Sequence, residues 1–276
     1  MKLPYHVDLS GRTAVVTGGS GVLGSLFTRA LAACGAQVAV IGRHERSAAG
    51  LVEESGGRVA FFQADVLSVA ELEHAREEIL ARFGVPTILI NGAGGNDPGA
   101  TTEDEFYQKG EAVRDFFQLE PGALRQVFDL NFFGALQASQ VFAKGMAGLP
   151  GACIINISSM SACRPLTKIP AYSGAKAAVE KLTMWMATYF AKSGLRVNAI
   201  APGFFVGNQN RAMLFDKEGK PTPRTEKILR STPMGRFGEP EELIGTLLYL
   251  VSPEASGFVT GIVIPVDGGF SAYSGV

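Results

Sequence analysis

No stretch of this sequence strings together the roughly 18 apolar residues that a membrane helix needs, and no basic segment leads into an apolar one at its start. The expectation is a soluble, cytoplasmic protein with no membrane partner. Basic blocks are missing too. With 25 Lys and Arg against 26 Asp and Glu the net charge is −1, so nucleic acid is not an expected partner. Cysteine is scarce: Cys34, Cys153 and Cys163 are odd in number and lack metal-type spacing, which argues against a disulfide framework and predicts no metal site. Cys34 and Cys153 lie in apolar runs and read as buried thiols, in keeping with a reducing compartment. No Pro/Ser-rich linker, low-complexity tract or internal repeat divides the chain, so residues 1–276 are expected to form one domain.

What is present is apolar and small: 46% hydrophobic residues, 18% charged, and 34 glycines. Short β-branched runs fall at Thr13–Thr17, Gln37–Ile41, Val59–Ala64, Thr87–Asn91, Ala152–Ser158, Arg196–Ile200 and Gly261–Val266. Segments with helical spacing lie between them, at Gly24–Cys34, Val69–Phe83, Pro121–Met146, Tyr172–Ser193 and Pro240–Leu250. Several runs are almost wholly apolar, as parallel strands buried on both faces must be. This alternation predicts an α/β fold: a single Rossmann-type domain built on a doubly wound parallel sheet of about seven strands, with helices on both faces. Two stretches break the rhythm, a long polar insertion at Gly94–Glu120 and an excursion at Gly203–Gly238. Both follow strands. Ligands of such sheets bind beyond the carboxyl ends of the strands, so both excursions should overhang the site.

The first strand runs into Thr-Gly-Gly-Ser-Gly-Val-Leu-Gly, Thr17–Gly24, and then a helix. Gly18, Gly19, Ser20, Gly21, Val22, Leu23 and Gly24 are therefore the expected cradle for a dinucleotide pyrophosphate, because close backbone approach and a helix N-terminus both favour an anion. The second strand ends at Ile41-Gly42-Arg43-His44, with no carboxylate for ribose hydroxyls. Arg43 suits a 2′-phosphate, which favours NADP(H); NAD(H) stays open, with Arg43 solvated or stacked on adenine. Asp65-Val66 closes the third strand, where Asp65 serves either the adenine amino group or a local turn. Asn91, Gly92, Ala93 and Gly94 end the fourth strand with small residues that leave room for a cofactor.

Tyr172 and Lys176 stand four residues apart, and Ser159 precedes the tyrosine by thirteen. On a helix, i and i+4 share a face, so an ammonium can lie beside the phenol and lower its pKa from about 10. A phenol tuned in this way exchanges protons with a carbonyl or alcohol oxygen, and a serine hydroxyl can hold that oxygen.

Taken in order, these motifs resemble the short-chain dehydrogenase/reductase family over nearly the whole chain. The likeness includes Asn131, Asn198, Pro202-Gly203 and the closing Val-Asp-Gly-Gly at Val266–Gly269, and departs from the family at Val22, where glycine is usual. The resemblance implies an NAD(P)(H)-dependent oxidoreductase with a catalytic tetrad. In it Tyr172 is the acid/base, Ser159 orients the carbonyl, Lys176 tunes the tyrosine and binds the nicotinamide ribose, and Asn131 holds a water. It also places Pro202, Gly203 and Phe205 at the cofactor and implies a homotetramer. A narrower likeness, in the insertion after Asn96, in Phe128–Gly134 and in Thr232–Leu243, is to the fructuronate reductase/D-mannonate oxidoreductase subgroup. It implies a small sugar-acid substrate, D-fructuronate or D-mannonate, touched by Asn96, Ser159, Tyr172 and Arg211. Arg211 is the expected carboxylate clamp, with Asn210, Arg164 and Lys168 as lesser candidates. The alternatives are another carbonyl substrate, such as a 3-oxoacyl thioester or a different sugar ketone, or a non-catalytic nucleotide-binding regulator.

Overall fold

The structure is a computed structural model, and it describes residues 6–110, 113–206, 214–216 and 219–275. Seven parallel strands form one sheet in the order β3-β2-β1-β4-β5-β6-β7. They are β1 Thr13–Thr17, β2 Gln37–Gly42, β3 Val59–Gln63, β4 Ile88–Asn91, β5 Cys153–Ile157, β6 Arg196–Pro202 and β7 Val263–Val266. All the pairings are parallel and in register; Val15, for instance, lies opposite Ala39 and Leu89.

Both faces are covered, and the strands supply them by alternation. Ala14 and Val16 of β1 and Val38 and Val40 of β2 join a core with Phe27, Leu31, Leu247 and Leu250. Those four residues come from α1 (Val22–Ala33) and, later in the chain, from Ile244–Val251. Val15, Ala39 and Ile41 point the other way, toward Leu72, Ile79, Phe142 and Met186. A wholly apolar strand thus feeds two cores at once, which is why its sequence shows no alternation.

Among the described residues the remaining helices are α2 (Ala49–Glu54), α3 (Val69–Phe83), α4 (Pro121–Phe128), α5 (Gly134–Met146), α6 (Met160–Cys163), α7 (Pro170–Phe190), α8 (Pro223–Ser231), α9 (Ile244–Val251) and α10 (Pro253–Ser256). The expected single helix over Pro121–Met146 is interrupted: Asp129–Phe133 forms a π turn between α4 and α5. The Gly94–Glu120 insertion is less polar at its surface than expected, since Phe106, Tyr107, Phe116 and Phe117 are exposed on it. The second excursion contains α8, capped by Thr222 at its start. The two excursions meet through an ion pair between Lys227 of α8 and Glu105. Cys153 is buried as expected, but Cys34 is only partly covered and Cys163 is exposed. Among the described residues no helix is long and apolar enough to cross a membrane.

Candidate active site

Strand order reverses between β1 and β4, the switch point beyond whose carboxyl ends such sheets bind their ligands. The loop after β1 lies there. Gly18 holds φ +64°, a left-handed conformation that favours glycine, and a methyl group on it would meet the Ala93 backbone at 2.9 Å. A methyl on Gly24 would lie 2.1 Å from the Gly18 carbonyl, so the helix packs directly on the loop. Thr17 Oγ1 accepts from the amides of Gly92 and Ala93 at 3.2 and 3.3 Å, joining the two strand exits. Gly19 is buried, whereas Gly21 and Val22 are exposed where α1 begins. Leu23 packs against the core beneath α1, and Ser20 lies close to Gly42. A cradle that side chains would fill, opening onto a helix N-terminus, fits a pyrophosphate.

Around it, Arg43 and His44 are exposed at the end of β2. Asp65 accepts from the Leu67 amide at 2.9 Å, so one oxygen makes a local turn. Val66 is buried, and Gly134 packs against its side chain. Asn91 is not a surface residue of this edge. Its amide donates to Ser139 Oγ at 2.9 Å and Asn156 Oδ1 at 2.8 Å, within the buried layer under α5. Only its backbone reaches the strand exit, where Gly92, Ala93 and Gly94 follow. Pro202 ends β6, Gly203 closes on Asp267, and Phe205 bridges to Gly238.

The four predicted catalytic side chains converge. Tyr172 lies in the first turn of α7, which starts at Pro170. Its hydroxyl faces Ser159, whose influence works against the effect of burial on the phenol. Ser159 is the N-cap of α6, and its oxygen accepts from the Ser161 amide at 3.2 Å and the Ser161 hydroxyl at 3.0 Å. The two adjacent serines are told apart by geometry, because the Ser158 hydroxyl donates to Glu180 instead, at 2.8 Å. Lys176 is buried and donates to the Ile157 carbonyl at 2.8 Å. Asn131, inside the π turn, donates to the carbonyls of Gly95 and Val127 at 2.7 Å each and accepts from the Gly95 amide at 3.3 Å. A methyl on Gly94 would come within 2.6 Å of Asn131 Oδ1 and 3.3 Å of Lys176 Nζ, so glycine lets these groups close up.

One electrostatic expectation is corrected. The Lys176 ammonium sits over the Tyr172 ring, 5.6 Å from its centroid, and the phenol is nonetheless raised. Burial raises the phenol above its ordinary value, and Ser159 pulls it the other way. Burial also lowers the Lys176 ammonium, to about 8.

The substrate candidates separate. Asn96 is exposed and donates to Thr101 Oγ1 at 2.8 Å. Arg164 donates to the Tyr273 carbonyl, which draws the C-terminal segment toward α6. Lys168 donates to the Glu103 carbonyl at 2.7 Å and holds φ +74°, a strained value for a residue with a side chain. Arg211 and Asn210 lie outside the described residues. Ser161 and Gly95, which hold Ser159 and Asn131, went unread in the sequence; the Ser-Ser-Met-Ser run after β5 was the available cap signal.

A dinucleotide cradle beside half-buried Tyr172 and buried Ser159, Lys176 and Asn131, at the carboxyl edge of a parallel sheet, defines a nicotinamide-dependent oxidoreductase. The comparisons with known proteins agree. The model of the family described as Enoyl-(Acyl carrier protein) reductase matches residues 21–271. An uncharacterised oxidoreductase of Haemophilus influenzae is 52% identical over 281 residues, covering 100% of this chain and 99% of that protein. L-xylulose reductase of Mus musculus is 32% identical, covering 96% of this chain and 99% of that protein. A Haemophilus influenzae crystal structure with bound NAD, provisionally named a D-mannonate oxidoreductase, superposes with a TM-score of 0.95 at 51% identity, covering 100% of both chains. The chain belongs to the short-chain dehydrogenase/reductase family and is an NAD(P)-dependent oxidoreductase.

Proposed function

We propose that this enzyme interconverts a ketone and a secondary alcohol of a small sugar acid, with D-fructuronate and D-mannonate as the pair. The observation that carries the reaction type is the convergence of Tyr172, Ser159 and Asn131 on buried Lys176 beside the Gly94 turn. The bound dinucleotide supplies or takes the hydride. In reduction Tyr172 gives its proton to the substrate oxygen, and in oxidation it takes one. Such proton transfer is worth about 10²–10⁴-fold. Ser159 holds that oxygen, and Lys176 binds the ribose. Asn131 keeps the Gly94–Gly95 turn closed against Lys176 and holds the water that links the lysine to solvent.

The sugar acid is supported by the names of the relatives, one a provisional D-mannonate oxidoreductase and another an L-xylulose reductase. Arg211 is the carboxylate clamp read from the sequence, with Asn96, Arg164 and Lys168 as lesser candidates for the hydroxyls and carboxylate. The test is a spectrophotometric screen of uronates and aldonates with both cofactors. Turnover of fructuronate and mannonate above all other carbonyls supports the reading; preference for an acyl thioester or a steroid ketone sinks it.

For the cofactor, Gly42 and Arg43 at the end of β2 suit the 2′-phosphate of NADP(H), while the NAD held by the Haemophilus influenzae protein favours NAD(H) as a second reading. Arg43→Asp decides between them. A swing of about tenfold or more toward NAD(H) in kcat/KM is expected if the guanidinium reads the phosphate, and an unchanged ratio rejects that role.

For the assembly we propose a homotetramer. Trp185 and Tyr189 of α7 stack at 4.9 Å and are 58% and 67% exposed beside an apolar groove of about 650 Å³ between α3, α5 and α7. That is more apolar surface than one sheet face requires.

A further inference from the structure

Three consecutive residues at the exit of β5 are each tied to a different turn of α7. The Ile157 carbonyl accepts from Lys176 Nζ at 2.8 Å, the Ser158 hydroxyl donates to Glu180 Oε1 at 2.8 Å, and Ser159 faces the Tyr172 hydroxyl. The helix partners fall at 172, 176 and 180, a four-residue repeat that lines one face. The outer two belong to the chemistry already described. The middle tie does not.

Ser159 is extended, at φ −163° and ψ 150°, and the Ser158 amide donates to the Ile200 carbonyl at 2.8 Å, so the strand pairing continues through this point. Neighbours on extended chain face opposite ways. The Ser158 hydroxyl, held by Glu180 with the Lys176 carbonyl 3.4 Å away as a second acceptor, is thus turned from Ser159. Glu180 is half-buried, and burial raises its carboxyl above the usual range while Ser158 and the adjacent Lys181 pull it back. A carboxylate in such a place costs free energy unless it is bonded. It is not the counter-ion of Lys176, whose shift arises from burial and whose ammonium is spent on Ile157.

We propose that Glu180 is a positioning residue: by holding the Ser158 hydroxyl it locks the β5 exit against α7, so that Ser159 alone faces Tyr172. This rests on the hydride-transfer reading of the site. It makes the functional stripe on α7 one turn longer than Tyr-x-x-x-Lys.

The test compares Glu180→Ala, Glu180→Gln, Ser158→Ala and the Glu180→Ala/Ser158→Ala double variant. Glu180→Ala is expected to lower kcat about 5–20-fold, from loss of one charge-assisted hydrogen bond. KM and NAD(P)H affinity by fluorescence titration should stay within about twofold, since only an orienting contact is lost. Glu180→Gln keeps an acceptor and recovers most of the rate. Ser158→Ala falls like Glu180→Ala, and the double variant falls no further than either. Wild-type kcat in Glu180→Ala, a Gln variant as poor as the Ala one, losses that multiply in the double variant, or a parallel loss of cofactor affinity would each overturn the proposal.

A readout independent of substrate separates this from the proposed function. The ionisation of Tyr172, taken as tyrosinate absorbance minus that of the matching Tyr172→Phe protein, should move to higher pH in Glu180→Ala because the influence of Ser159 is weakened. An unmoved titration overturns the role of Glu180, even if the substrate screen finds nothing. A moved titration sustains it whatever the substrate proves to be.

Discussion

At the scale of single residues, burial sets the chemistry of Tyr172 and Lys176. Burial holds the phenol protonated above its ordinary pKa, so the group stands ready to donate at neutral pH. Reduction needs that proton and should stay level through neutral pH, then fall as the phenol ionises. Oxidation needs the phenolate and should climb as pH rises into the alkaline range. Initial rates in both directions across pH check the sign, and Tyr172→Phe should lose about 10²-fold or more in either direction while still binding cofactor. Lys176 carries a stability cost. Its folded pKa, about 8, lies below the ordinary 10.5, so the unfolded chain binds more protons between these values. The penalty is therefore full below about pH 8 and fades as pH rises toward 10.5. Lys176→Met should make the inactive protein more resistant to urea at neutral pH by about 1–2 kcal/mol, after allowing for the orphaned Ile157 carbonyl. That advantage should shrink at high pH.

At the scale of elements, close backbone approach does the positioning. The α1 helix can begin on the phosphate loop only because Gly24 has no side chain to strike the Gly18 carbonyl. Gly24→Ala should cost about 1–3 kcal/mol of stability through overpacking, and it should abolish NAD(P)H binding in a fluorescence titration. The π turn at Asp129–Phe133 performs a comparable task for Asn131. Its extra residue swings the amide out of the helix repeat and onto both the carbonyl and the amide of Gly95. The insertion after Gly94 is then pinned on its far side. Thr102 donates to the Lys168 carbonyl at 2.9 Å, Lys168 returns a bond to Glu103, and Glu105 reaches Lys227 on α8. The two excursions are thereby joined to each other and to the loop that leads into Tyr172.

At the scale of the whole molecule, the sheet faces are filled and apolar surface is still left over. The α5–α7 side carries Phe133, Met184, Trp185 and Tyr189, each 40% exposed or more. Covering such surface with a second copy is the basis of the proposed tetramer. Sedimentation should find an oligomer, and the Trp185→Glu/Tyr189→Glu double variant should dissociate to a smaller species, because two carboxylates cannot be desolvated there without partners. A wild-type monomer at micromolar concentration would reject the assembly.

The repeating pattern of apolar runs and helical segments was enough to place the strands to within a residue or two, because a strand buried on both faces must be apolar throughout. The motif spacing likewise located Tyr172, Lys176, Ser159 and the Thr17–Gly24 loop, since a helical i, i+4 pair and a strand-to-helix glycine turn are local features. Other matters needed the chain folded back on itself. That Ser158 turns to Glu180, that Asn91 sinks into the layer beneath α5, and that burial raises the Tyr172 phenol all depend on residues far apart in sequence. Solvent exclusion and through-space contact arise only when distant segments pack, and no local pattern of residues encodes their balance.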